Sequence, residues 1–271
     1  MTCVSIKLAM KSFIEKTYFL SANESNAEGV LSLNSLTSNI IDIATDHANS
    51  LGIGNPAMVE LNAGWILSRL TIDLHKFPGV NSHYVLKTWI EDFNRHFSTR
   101  CFSISSPEGE IYGYCRSIWL VIETVTHKNL GLSHLQLPTE AILGESAPIA
   151  RQEKHFPIVE NLNDSTSGKA ILATHKPYHY TFQYCDLDFY RHVNTVRYVT
   201  LLLNQFTLQE HDDTRVKRIE LSFLHEAKYG MKTILLRSDS NEDPLISSFQ
   251  LSDESTGESL LFARIKREEV R

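Results

Sequence analysis

A strand, a helix and a block of strands occur in that order twice along this chain, and the doubling limits its possible folds more than any other feature. In the first set, Ser12 to Leu20 mixes Phe13, Ile14, Tyr18 and Phe19 with Glu15 and Lys16, the pattern of a half-buried strand. Leu36, Ile40, Ile43, Ala44, Ala48 and Leu51 then recur at helical spacing, with Asn34 or Ser35 as cap and Gly52 as stop. Strands follow at Trp65 to Leu74, Tyr84 to Phe93, Thr99 to Ile104 and Ile111 to Val125, with Pro107-Glu-Gly109 as a turn. The first of them places Ile66, Leu70, Ile72 and Leu74 on one parity. The second set begins with His179 to Tyr184 and a helix carrying Val196, Val199, Leu202, Leu203 and Phe206. Its strands are Val216 to Phe223, Ile234 to Arg237, Leu245 to Leu251 and Leu260 to Ile265.

Laid over Arg218-Ile-Glu-Leu-Ser-Phe223, the segment Arg69-Leu-Thr-Ile-Asp-Leu74 keeps its apolar parity and its Arg, as a duplicated domain would. The expected fold class is α+β: two tandem domains, each an antiparallel sheet wrapped around a long central helix. The expected boundaries are 1–135 for the first domain, 136–173 for a connector and 174–271 for the second. The connector gathers Pro138, Pro148, Pro157 and the polar run Asn161 to Gly168, a composition suited to crossing a surface.

With 271 residues, 42% hydrophobic and 21% charged, the chain has enough apolar residues for a sizeable core. A net charge of -6 argues against a nucleic-acid partner. Cys3, Cys101, Cys115 and Cys185 form no Cys-x-x-Cys pair and read as free thiols of a reducing compartment. Lys7, Lys11, Glu15 and Lys16 interrupt the apolar residues of the N-terminus, and no run is long enough to span a membrane, so a cytoplasmic address is expected.

Asp186, Asp188, His192 and Asn194 crowd into nine residues just before the second helix, a poor composition for a core and a good one for a site. Asn194 is placed to cap that helix, which brings His192 beside the first helical amides. Val193 and Asn194 thus mark a candidate oxyanion site, because orphan donors and the helix dipole favour negative charge there. A structural reading stands beside each of these assignments. Asp186 and Asp188 also suit turn and capping roles, His192 a satisfied core position, and Glu226 a surface charge or a partner for Arg218. Leu31 to Thr37, which leads into the first helix, has neither His nor carboxylate, so one active site per chain is expected.

These residues resemble the acyl-acyl carrier protein thioesterases of plants and bacteria, a family built as two fused hotdog domains. The resemblance rests on Asp186-Leu-Asp188-Phe-Tyr-Arg-His192-Val-Asn194 and on Arg218 to Gly230, with further support from Gly52-Ile-Gly54, Trp65 to Arg69 and Lys87-Thr-Trp-Ile90 continuing to Arg100. It implies a thiolester hydrolase that releases free fatty acid from fatty acyl-acyl carrier protein, with Asp188, His192 and Glu226 as catalytic residues. Glu226 would act as base on water or as nucleophile, and His192, oriented by Asp188, would polarise the thioester or serve the leaving group. Tyr190 stands where the family carries Asn, and Thr195 replaces the second Asn after His-Val; Tyr190 and Asp186 are candidate site-lining residues. No cofactor is implied, since phosphopantetheine arrives on the carrier protein. Arg191, Arg197 and Arg218 are candidates for its phosphate or for the acidic carrier itself. A homodimer also follows from the resemblance. An acyl-CoA thioesterase and a catalytically silent acyl-binding protein are the alternatives.

Other motifs lead nowhere. His175 and His179 share a four-residue spacing, but Pro177 and a strand-like context separate them, so no metal is expected. Gly52-Ile-Gly54 follows a helix and lacks a third glycine, and Gly144 to Pro148 misses the nucleophile-elbow pattern at its last position.

Overall fold

The computed structural model describes residues 12–160 and 170–270. Cys3 and the polar run Asn161 to Gly168 fall outside them. The first half contributes β1 (Phe13–Phe19), α1 (Leu33–Ser50), α2 (Asn55–Glu60), β2 (Ala63–Leu74), β3 (His83–Phe93), β4 (Ser98–Ser105) and β5 (Ile111–Glu123). Two short strands, β6 (Ile158–Val159) and β7 (Ile171–Leu172), pair with each other beyond the connector's start. The second half contributes β8 (Tyr178–Thr181), α3 (Thr195–Leu203), α4 (Leu208–Asp213), β9 (Thr214–Phe223), β10 (Lys232–Asp239), β11 (Ile246–Asp253) and β12 (Ser259–Glu269).

One sheet of 10 strands runs β1-β3-β4-β5-β2-β9-β12-β11-β10-β8. Read outward from the β2–β9 seam, both halves follow the same sequence of strands. The seam pairs Leu70 with Leu221, Thr71 with Glu220 and Ile72 with Ile219. Thr71 and Glu220 are also partners in the sequence overlay, as a two-fold axis through that pair requires.

The helices cover one face. Leu36, Ile40 and Ile43 of α1 are fully buried, and with Leu70, Ile72, Leu86 and Ile104 they join a core that runs across the seam to Val199, Leu202, Leu221 and Leu261. Burial of each such side chain is worth about 1.5–3 kcal/mol relative to exposure. Asn34 Nδ2 donates to Thr200 Oγ1 at 2.9 Å, tying α1 to α3.

Several sequence expectations shift. The cap of α1 is Ser32, whose side chain accepts from the Ser35 amide, so the first turn starts earlier than Asn34 or Ser35 would place it. Gly52, at φ 74, ends the helix as expected, and Pro56, in the first turn, then opens α2. The long central helix holds for the 18 residues of α1; α3 has 9, and Phe206 lies beyond its end. A register shift between Leu67 and Arg69 puts Leu67, not Ile66, in phase with Leu70, Ile72 and Leu74.

The connector covers the sheet's other face. Trp89 donates to the Glu145 carbonyl at 2.7 Å, while Ala147 and Ile149 pack on Trp89 and Cys101. Gln152 Nε2 reaches one carbonyl on each seam strand, Leu70 O at 2.9 Å and Leu221 O at 3.0 Å. Glu220, an outward residue of an alternating strand, is consequently only 1% exposed, and it accepts from Arg218 and from the Glu153 amide.

Candidate active site

The hairpin before α3 is set by one carboxylate. Asp188 Oδ1 accepts from the amides of Tyr190 at 2.9 Å and His192 at 3.0 Å, and the Asp188 amide donates to His192 O at 2.8 Å. Arg191, at φ 65, takes the left-handed position that closes the turn. Val193 N donates to Ala227 O at 2.9 Å, so the hairpin is bound to the segment leaving β9. That bond brings His192 alongside Glu226, with His192 Nε2 3.3 Å from Glu226 Oε2.

A second histidine meets the same oxygen from the other half: His127 Nδ1 lies 3.2 Å from Glu226 Oε2. The two imidazole centroids are 6.4 Å apart. His127 sits at φ 57 in the turn after β5, where its amide donates to Glu123 O and Glu123 Oε2 accepts from the Thr126 amide. Glu226 is therefore flanked by one imidazole from each half. Local sequence holds no sign of this, because Thr126-His127-Lys128 is an ordinary turn until the fold places it beside β9.

A cavity of about 490 Å³ opens beside this cluster and runs between the helices and the sheet of both halves. Trp65, Leu67 and Trp119 line it from the first half, and Tyr198, Phe223 and Ala227 from the second. Apolar side chains form the larger part of its lining. Tyr198 is 4% exposed; burial pushes its phenol well above the ordinary range, and the charges of Glu226 and Asp188 add to the rise. It remains a neutral donor at physiological pH.

Asp188, His192, Glu226 and Tyr190 thus meet at one place, while the other candidates separate. Asp188 engages the His192 backbone and makes no hydrogen bond to its ring, so it shapes the turn; the carboxylate facing the ring is Glu226. Tyr190 lines the cavity, its ring 3.9 Å from that of Phe189. Val193 and Asn194 are not free oxyanion donors, because their amides go to Ala227 O and Asp186 O. Asn194 Oδ1 caps α3 by accepting from Val196 N, and the Thr195 amide is the one left without a protein acceptor among the described residues. Asp186 is not site-lining; it accepts from the Gln183 amide and the Tyr180 hydroxyl beneath the hairpin. Arg218 is withdrawn to the sheet's outer face, bound to Asp73, Glu220 and Ala150 O, so it does not offer its charge to a phosphate. Arg191 is exposed, and Arg197 lies 3.9 Å from Asp186 with its side chain 43% exposed.

Two half-sheets, each carrying its own helix and joined at one seam, define a double-hotdog protein. Among solved structures, an acyl-ACP (acyl carrier protein) thioesterase from Bacteroides thetaiotaomicron shares this fold with a TM-score of 0.81 at 23% identity, covering 95% of this chain and 98% of that one. A 12:0-ACP thioesterase from Umbellularia californica follows at 0.77 and 19%, with 95% and 94% covered. Residues 11–132 match the acyl-ACP thioesterase N-terminal domain and residues 170–268 the C-terminal domain. The chain belongs to the acyl-ACP thioesterase family. Similar relatives include a chloroplastic palmitoyl-acyl carrier protein thioesterase of Gossypium hirsutum, 21% identical over 86% of this chain, and oleoyl-acyl carrier protein thioesterase 2 of Arabidopsis thaliana, 21% identical over 92%. The chain spans 57% of the former's length and 68% of the latter's.

Proposed function

We propose that this chain hydrolyses the thioester of fatty acyl-acyl carrier protein and releases free fatty acid, as a step of fatty acid biosynthesis. The observation that carries the proposal is Glu226, held between His192 and His127 at the mouth of an apolar cavity in a family of acyl-ACP thioesterases. Glu226 takes a proton from water as the water oxygen attacks the thioester carbonyl. The C–S bond then breaks, and a histidine on Glu226 supplies the proton that the departing thiolate needs. General acid–base catalysis of this kind contributes about 10²- to 10⁴-fold. Thr195 N–H, at the start of α3, faces the developing oxyanion, and one well-placed donor is worth about 10²- to 10³-fold. No cofactor takes part.

The acyl tail occupies the cavity, where each buried CH₂ contributes about 0.8 kcal/mol. Arg191 and Arg197 stand beside the hairpin as the basic contacts for the carrier or its phosphopantetheine phosphate. No helix among the described residues is long and apolar enough to cross a membrane. Cys101, Cys115 and Cys185 are free thiols, which supports a reducing compartment such as the cytoplasm. A homodimer belongs to the same proposal, since β1 and β8 are the edge strands of the sheet among the described residues.

The test is thiol release from acyl-ACP thioesters, with matching acyl-CoA thioesters and a His192→Ala protein alongside. Turnover on the carrier substrates that collapses in the variant supports the proposal. Faster turnover on CoA esters moves the substrate, and tight binding without turnover favours a catalytically silent acyl-binding protein.

A further inference from the structure

The cavity contains a charge that its apolar walls do not explain. Arg100, on β4, points to the helix side of the sheet, is 4% exposed, and lines the same cavity as Glu226. Its Nη1 meets His47 Nδ1 at 2.8 Å and Thr88 Oγ1 at 3.4 Å. Among the described residues it forms no ion pair, and Asp42, which lines the cavity too, makes none with it.

Other buried arginines show how this molecule ordinarily treats such a group. Arg237, 3% exposed, pairs with Asp239 at 2.8 Å and Glu210 at 3.1 Å, and Arg267, 7% exposed, also reaches Glu210. Burying a cation without an anion is costly, and burial lowers the Arg100 guanidinium to about 10, which still leaves it charged at neutral pH. The enclosed polar atoms left unsatisfied among the described residues are Asn34 Oδ1, Thr37 Oγ1, His155 Nε2 and Arg267 Nε, and no atom of Arg100 is one of them. Arg100 lines the cavity, and its Nε and Nη2 have no acceptor among the described residues.

We propose that Arg100 is a specificity subsite for an acceptor oxygen on the acyl tail, so that the cavity prefers chains carrying a distal hydroxyl or carboxylate over methyl-ended chains of equal length. The inference rests on the acyl-thioester reading given above. A methyl-ended tail that reached Arg100 would strip water from a cation and return nothing, whereas a tail oxygen replaces that water with a charge-assisted hydrogen bond. The fixed position of Arg100 makes the preference depend on chain length.

The test uses acyl-pantetheines with an amide in place of the thioester, so that binding is read without turnover. Tails ending in methyl, hydroxyl or carboxylate are compared by calorimetry over a ladder of lengths. The expected result is an oxygen-ended tail binding about tenfold or more tightly at one length, with the carboxylate strongest. In Arg100→Met the advantage falls below about twofold, and in Arg100→Lys it is retained in part. Methyl-ended tails that bind at least as tightly at every length overturn the inference, as does an advantage that survives Arg100→Met. Should that variant fail to fold, the wild-type ladder decides alone. Thioester versions run in parallel separate the two readings: hydrolysis without the preference overturns only the subsite, and the preference without hydrolysis overturns only the proposed reaction.

Discussion

The hairpins leading into α1 and α3 share their hydrogen bonds and differ in their chemistry. Asn26 Oδ1 accepts from Val30 N at 3.0 Å, as Asp188 Oδ1 does from His192 N, and Asn26 N donates to Val30 O as Asp188 N does to His192 O. Gly29 and Arg191 both take left-handed backbone, at φ 72 and 65, and Ser32 and Asn194 both cap the helix that follows. Leu31 N donates to Pro78 O where Val193 N donates to Ala227 O, so Phe77 occupies the place of Glu226 and Val30 that of His192. The backbone of this motif is therefore scaffold. Chemistry depends on two side chains placed upon it, and only the second half carries them.

The largest expected effect follows from that difference. Glu226→Gln and His192→Ala should each lower turnover by about 10²- to 10⁴-fold with the fold intact, while Asn26→Ala, in the other hairpin, should cost about 1 kcal/mol of stability and leave turnover per folded molecule unchanged. Equal losses of activity from both hairpins would break the comparison. Next comes His127→Ala, expected to reduce kcat about tenfold with a smaller change in KM; an unchanged kcat would reduce the first half to a wall of the cavity. Asp188→Asn installs the side chain that already works at position 26. Its unfolding free energy should stay within about 0.5 kcal/mol of wild type in denaturant titration and its turnover close to wild type, as a side chain that only shapes the turn requires. A loss of several kcal/mol would mean that the two turns are not equivalent.

The smallest effect contrasts the buried cations of the halves. Burial opposes ionisation of Asp239, yet hydrogen bonds from Arg237, Ser247 and His175 hold its carboxyl at about 2, below the ordinary 3.8. A depressed folded value means stability that is complete above the unfolded value and lost as pH falls through the folded one. Asp239→Asn should therefore cost no more than about 1 kcal/mol at neutral pH, once solvent screening is allowed for, and the gap from wild type should close between about pH 4 and 2. Arg100, which has no carboxylate partner among the described residues, gives the first half no such acid-labile contribution.

Much of the fold was legible because alternation and helical spacing are local. The strands from β2 to β5 and from β9 to β12, Gly52 as a stop and Asn194 as a cap were all visible in residue type and spacing. Asp188, His192 and Glu226 were readable as well, but not the division of labour among them. Whether Asp188 faces an imidazole or an amide is decided by a turn conformation that Asn26 adopts equally well. Arg218 looked available because nothing in Arg215 to Phe223 announces that the connector will return over it. His127 and Arg100 were missed as site residues for a related reason. Each acquires its role from a residue distant in sequence, Glu226 for one and His47 for the other, and pairings of that kind leave no periodic trace.

The seam also bears on how the chain is made. During synthesis β2 is complete long before β9 emerges, so the stretch of it that β9 will pair, Arg69 to Asp73, waits as an open edge for a partner still on the ribosome. An open strand edge of this kind is a template on which another chain can pair. The connector's return across Leu70 and Leu221 through Gln152 closes that interval, making intramolecular pairing the event after which two growing copies can no longer be mistaken for one another.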